Sequence, residues 1–133
     1  GYCYTWEEQE GDLSAEVFAH IQFQHFAKLL DANPTIEKTV VWSDGCGYQN
    51  RNAVLSNAYL HQAKQYNIVI ERTFLVVGHT QMECDSMHST IERKVVGDIY
   101  TPCDYHVMFG NARIRLKCTY PVSCYPFVPQ RFF

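Results

Sequence analysis

The chain has 133 residues, enough for one hydrophobic core but not for two. Hydrophobic residues make up 47% and charged residues 19%, so an interior is expected, and no apolar run approaches the roughly 18 residues of a membrane-spanning helix. The formal net charge of -3 at pH 7 is unusual for a module that holds nucleic acid by itself, because phosphate binding needs Lys and Arg to displace counterions.

The opening Gly1-Tyr2-Cys3-Tyr4-Thr5-Trp6 lacks the basic start and apolar block of a signal peptide. Residues 2–7 alternate and are rich in Tyr, Thr and Trp, which predicts a strand already under way and a chain that is part of something longer. From Ser14 to Ala32 apolar residues recur at three and four (Val17, Phe18, Ile21, Phe26, Leu29, Leu30), a helical spacing closed by Pro34. Lys38-Thr39-Val40-Val41-Trp42 predicts a buried strand that runs into the turn Ser43-Asp44-Gly45-Cys46-Gly47. Arg51 to Gln65 predicts a second helix with Val54, Leu55, Ala58 and Tyr59 inward.

Ile68 to Val77 carries the strongest strand signal of the chain, and Gly78-His79 turns out of it. Thr80 and Glu83 have the spacing of a capping box, opening a third helix through about Val95. Beyond Gly97 come Pro102, Pro121, Pro126 and Pro129, with a short helix expected over 103–113 and then an irregular aromatic tail. Alternating strands and helices predict an α/β fold with helices on a mainly parallel sheet. Ligands of such sheets bind beyond the carboxyl ends of the strands, which singles out the loops after the second and third strands.

Asp44 lies at the tip of the second strand, where Gly45 and Gly47 allow a tight turn and close approach of a ligand to the backbone. The simpler role for Asp44 is an Asx turn that caps the next helix. Asp85 falls in the first turns of the third helix, with His88 three and Glu92 seven positions on, so the three share a face. The simpler role for Asp85 is an acid favoured by the helix dipole. As a pair, Asp44 and Asp85 offer oxygen ligands to a hard cation such as Mg²⁺. Two such ions about 4 Å apart would activate an attacking oxygen and stabilise the leaving one at a phosphodiester. A third acid is needed, for which Glu16 and Glu7 are the local candidates, and His79 and His88 would carry protons or orient substrate.

Other readings are bland or weaker. The basic residues Lys64, Arg72, Arg93, Lys94, Arg113, Arg115, Lys117 and Arg131 read as a solvated face. The six cysteines include no C-x-x-C pair and read as mostly reduced thiols. A zinc site of His79, Cys84, Asp85 and His88 has no recognised spacing, and a dinucleotide loop at 45–50 lacks its third glycine and its ribose-binding acid.

Two segments carry a family resemblance. Trp42-Ser-Asp-Gly-Cys-Gly-Tyr-Gln-Asn-Arg-Asn52 and Phe74-Leu-Val-Val-Gly-His-Thr-Gln-Met-Glu-Cys-Asp-Ser-Met-His88 resemble a group of transposase-derived proteins. The group's usual signature is Ser-Asp-Asn/Gly-Cys-Gly-Gly-Gln-Asn followed by Gly-His-Thr/Ser and a Cys-Asp pair, and here Tyr48 replaces a glycine. Tyr4-Thr-Trp-Glu-Glu before these motifs, and Ile99-Tyr-Thr-Pro-Cys-Asp-Tyr105 and Asn111-Ala-Arg113 after them, extend the similarity over most of the chain.

The resemblance implies an RNase H-like fold, a mixed central sheet flanked by helices, over residues 1–100. Residues 101–133 would hold the short helix and the tail. It implies a DDE/DDD-type site binding Mg²⁺ or Mn²⁺, with Asp44 as second acid, Asp85 as third, and the first acid on an earlier strand upstream of this chain. Glu16 stands as the local catalytic candidate, while Gln49, Asn50, His79 and His88 would support the carboxylates or orient substrate. The implied activity is phosphodiester cleavage and strand transfer on DNA, at transposon ends or target, in a nuclear or intracellular protein without membrane contact. Assembly of several copies is left open. The alternative is a catalytically inactive, domesticated relative that binds DNA or protein.

Overall fold

The computed structural model describes residues 1–7, 12–76, 78, 82–93, 95, 97–111 and 123–126. In chain order the elements are β1 (Tyr2–Thr5), α1 (Ala15–Ala32), β2 (Lys38–Ser43), α2 (Ala53–Tyr66), β3 (Val69–Phe74), α3 (Glu83–Glu92), α4 (Pro102–Asn111) and β4 (Ser123–Pro126). The chain divides into two compact units, one built of α1, β2, α2 and β3, the other of β1, α3, α4 and β4.

In the first unit, local chemistry fixes the helix ends. Ser14 is extended, and its hydroxyl accepts from the Val17 amide at 3.5 Å, which opens α1. Asn33 closes α1 by donating its backbone N–H to the Leu30 carbonyl and its side-chain amide to the Leu29 carbonyl. Asn52 caps α2, its Oδ1 accepting from the Leu55 amide at 2.8 Å. Asn67 ends α2 in the left-handed region (φ 53°, ψ 47°), where Asn is tolerated far better than a branched residue.

α2 is the crossover that lets β2 and β3 run parallel. Their register pairs Lys38 with Val69 and Ser43 with Phe74. Alternation then sends Thr39, Val41 and Ser43, with Ile70, Arg72 and Phe74, to one face, and that face is half-buried. Against it lies the core, in which Ala19, Phe26 and Leu30 of α1 meet Leu55 and Tyr59 of α2, flanked by Val41 and Ile70 of the strands. Two polar ties cross the helix pair: the Gln62 amide donates to the Phe23 carbonyl at 2.6 Å, and the Tyr59 hydroxyl donates to Gln22. On the opposite sheet face Val40, Trp42 and Val69 are exposed beside a Lys38–Glu71 ion pair.

In the second unit β1 and β4 pair in parallel, Tyr2 opposite Ser123 and Thr5 opposite Pro126. The Tyr125 ring stacks on Tyr2 and Tyr4 with centroids 6.0 and 5.7 Å apart. Thr5 Oγ1 lies 2.9 Å from His106 Nε2, tying β1 to α4. Asp104, in the first turn of α4, accepts from the amides of Tyr100 and Thr101 and from the Thr101 hydroxyl; these bonds hold its carboxyl below the usual value.

The strand–helix alternation and the parallel pairing match the expectation from sequence, which gives an α/β chain with short parallel pairing and four helices. Two details differ. The expected irregular tail contains β4, whose four residues are too few and too Pro-bounded to show a period of two, and whose pairing depends on the distant β1. Two two-stranded sheets are found among the described residues instead of one central sheet. No helix among these residues is long and apolar enough to cross a membrane.

Two outcomes are expected. Leu55 is 1% exposed, so Leu55→Ala should lower unfolding stability by about 2–5 kcal/mol in denaturant melts, while Leu60→Ala, at a 54% exposed site, should change it by less than about 1 kcal/mol. His20 is buried in α1, and desolvation lowers its pKa from 6.5. The Gln24 amide lies 2.9 Å from Nε2, an arrangement suited to the neutral ring. The stability this contributes is complete above pH 6.5 and is lost as pH falls through the lowered folded value. The melting temperature should therefore fall on acidification from pH 7 to about 5, and His20→Gln should flatten that decline.

Candidate functional site

The site is built on the loop that leaves β2. Asp44 follows the last strand residue and is half-buried. Its Oδ1 accepts from the Cys46 amide at 3.1 Å, an Asx turn, and from the Asn50 side-chain amide at 2.6 Å. Its Oδ2 accepts no hydrogen bond from the described residues. The Asx turn expected from sequence is thus present, whereas capping of α2 falls to Asn52. One carboxylate oxygen is committed to the loop, and the other bonds to none of the described residues.

The rest of the loop is tied down around that carboxylate. The Cys46 carbonyl accepts from the amides of Asn50 and Arg51 at 2.8 and 2.9 Å. The Asn52 amide donates to the Tyr48 carbonyl at 3.0 Å, and the Leu75 amide to the Ser43 carbonyl at 2.9 Å, which carries the strand pairing to the loop's base. The Tyr48 ring meets Phe18 of α1 edge-on with centroids 6.1 Å apart.

The tight turn expected at Gly45 and Gly47 does not depend on glycine. Neither is among the residues with positive φ, and a Cβ built on either meets nothing within 4 Å. The turn does not require glycine there; what the two glycines leave is open space along the backbone next to Asp44.

Arg72, counted from sequence among a solvated basic set, has a different part. It is half-buried on the inner face of β3, its guanidinium 5.0 Å from the Phe74 ring centroid and 5.3 Å from that of Tyr59. It donates to the Ser56 hydroxyl at 2.7 Å and to the Asn50 carbonyl. Asn50 is therefore held at its carbonyl by Arg72 and offers its side-chain amide to Asp44. Burial pushes the Tyr59 hydroxyl up to about 12, against the pull of Arg72. Arg51 lies over the Phe74 ring as well, 5.5 Å from its centroid. The signal for Arg72 was in the sequence: in period two it shares a face with Ile70 and Phe74. No such signal marks Arg51.

The remaining expected site residues are placed as follows. Asn50 joins Asp44, while Gln49 turns to the Tyr48 hydroxyl at 3.1 Å. Glu16 is exposed in the first turn of α1 and bonds to no described residue. Asp85 belongs to the other compact unit. It is exposed in the first turn of α3, where its Oδ2 accepts from the Met82 amide at 2.7 Å and its own amide donates to the Met82 carbonyl. This cap replaces the expected one: α3 begins at Glu83, Thr80 lies outside the described residues, and the helix stops at Glu92 rather than Val95. His88 and Glu92 are exposed on α3 with Asp85, and His79 lies outside the described residues. No group of three or more His, Cys, Asp or Glu side chains that could hold a metal ion is found among the described residues.

A family model described as a domain of unknown function (DUF8701) matches residues 12–109, which spans α1 through most of α4. No curated protein matches the chain, and no solved structure does.

Removing the guanidinium while keeping the chain length tests the brace on Asn50. Arg72→Met should lower stability by about 1–3 kcal/mol, through lost hydrogen bonds and ring contacts, and should speed amide exchange at Asn50 and Arg51 more than in the core of α1.

Proposed function

We propose that this chain, which belongs to the DUF8701 family, is a metal-dependent nucleic-acid-processing domain of RNase H-like type that acts on phosphodiester bonds of DNA. The observation that carries this reading is the Asp44 carboxylate at the end of a parallel strand, one oxygen fixed by Cys46 and Asn50 and the other open. In parallel sheets that position is where ligands are met. The motif resemblance around Asp44 and Asp85 supplies the substrate class and names Asp85 as a further acid.

The donor chemistry suits Mg²⁺ or Mn²⁺. These hard ions take oxygen ligands, keep several waters, and are commonly bound by one or two carboxylates together with substrate phosphate, so a full protein cage is not required. Asp44 would hold such an ion through Oδ2. A bound divalent ion supplies positive charge to the phosphodiester in the transition state. The chain's own residues do the positioning. Cys46 and Asn50 keep Asp44 from rotating, Arg72 keeps Asn50 in place, and the open backbone at Gly45 and Gly47 lets a bulky, charged strand come close.

The second reading is a relative that binds DNA or protein without cutting, favoured by the exposed, helix-capping position of Asp85. A cleavage assay separates the two. On the nuclease reading the protein nicks DNA with Mn²⁺, and Asp44→Asn lowers the rate by at least about a hundredfold, the scale of a lost electrostatic contact to the reacting group. Asp85→Asn should also abolish turnover while the melting temperature stays within a few degrees of the parent. DNA binding without Mn²⁺-dependent nicking in the parent would sink the nuclease reading and leave the binding one.

The glycines give an independent check. Gly45→Ala and Gly47→Ala should leave stability unchanged or raise it by about 0.4–1 kcal/mol, because their backbone conformations do not require glycine. Each should nevertheless weaken DNA binding. Equal binding by parent and variants would show that the open space is not used.

A further inference from the structure

We infer that Arg51 is an anion seat for a phosphate group, on the same loop as Asp44. The residue is exposed, yet it is not free to wander. Its backbone amide is bonded to the Cys46 carbonyl at 2.9 Å, and the Cys46 amide is bonded to Asp44 at 3.1 Å, so Arg51 and Asp44 are anchored to a common residue. The guanidinium lies over the Phe74 ring, which places a planar cation on an aromatic face and removes much of its rotational freedom before any ligand arrives.

Among the described residues Arg51 has neither an ion pair nor a side-chain hydrogen bond, so none of its five N–H donors is spent on them. The contrast with Arg72 is informative. Both guanidinium groups contact Phe74, but Arg72 spends its donors on Ser56 and Asn50 and serves the loop. Arg51 shares the Phe74 ring and has no hydrogen-bond acceptor among the described residues. A planar fork of N–H donors matches the oxygens of phosphate two at a time, which makes a phosphate the chemistry this group recognises.

The inference rests on the nucleic-acid reading only for the source of the phosphate, a phosphodiester strand rather than a small phosphate anion. The test follows the Arg51 Nε–Hε resonance in ¹⁵N-labelled protein during titration with inorganic pyrophosphate and, separately, with a short single-stranded oligonucleotide. Both should shift it saturably. Arg51→Gln should weaken oligonucleotide binding about tenfold and reduce the slope of log affinity against log salt by about 1. Arg51→Lys should fall between parent and Gln, since it keeps the charge but not the planar stack. Saturation by pyrophosphate with no oligonucleotide binding supports the anion seat and removes the nucleic-acid reading. Oligonucleotide binding equal in parent and Arg51→Gln overturns the seat and leaves the Asp44 reading standing. A resonance unmoved by either ligand also overturns it.

Discussion

Asn50 is the residue through which this site is held together. Its carbonyl accepts from Arg72, a cation braced between two aromatic rings, and its side-chain amide donates to Asp44 at 2.6 Å. A carboxylate at a loop tip ordinarily samples several rotamers, and ordering it costs entropy when a ligand binds. Here that cost is met within the folded chain, because Oδ1 is fixed from two sides, while Oδ2 accepts no bond from the described residues. The lines of force run back from the loop into the core: Arg72 rests on Tyr59, and Tyr59 packs edge-on against Phe26 of α1 with centroids 5.2 Å apart.

That connection explains why the helix pair matters to the site. β2 and β3 alone would be a two-stranded parallel pair, which is not independently stable in water. Burial of Leu55, Tyr59 and Leu30 beneath Val41 and Ile70 gives the strands a surface to lie on, and the strand ends inherit its rigidity. The polar residues that cross this interface, Gln62 and Tyr59, have specific partners on α1 and so fix how the helices are placed along each other.

Much of this was legible in the sequence. Helix spacing from Val17 to Leu30, the β-branched run before Asp44 and the strand signal from Ile68 are strong local patterns, and each element formed within a few residues of its expected bounds. The Asx turn at Asp44 could also be read locally. What could not be read depends on partners far along the chain. β4 exists only by pairing with β1, more than a hundred residues earlier, and its four residues carry no pattern of their own. The cap of α3 was assigned to Thr80 and Glu83 because the spacing was right, yet Asp85 and the Met82 backbone made an equivalent bond. Composition alone groups Arg72 with the surface charges, although the alternation of β3 puts it on a face with Ile70 and Phe74. Of the two roles the sequence suggests for Gly45 and Gly47, a tight turn and close approach of a ligand, the backbone does not need glycine for the first, since neither has a positive φ.

The proposed activity depends on Asp44 offering Oδ2 to a divalent ion. Paramagnetic broadening by Mn²⁺ reads this directly, residue by residue, in the absence of any substrate. Saturable broadening is expected for the amide signals of residues 44–50, spreading no further than the adjoining ends of β2 and β3 within that unit and disappearing in Asp44→Asn. Uniform, unsaturable broadening over the surface, or identical broadening in parent and Asp44→Asn, would contradict it.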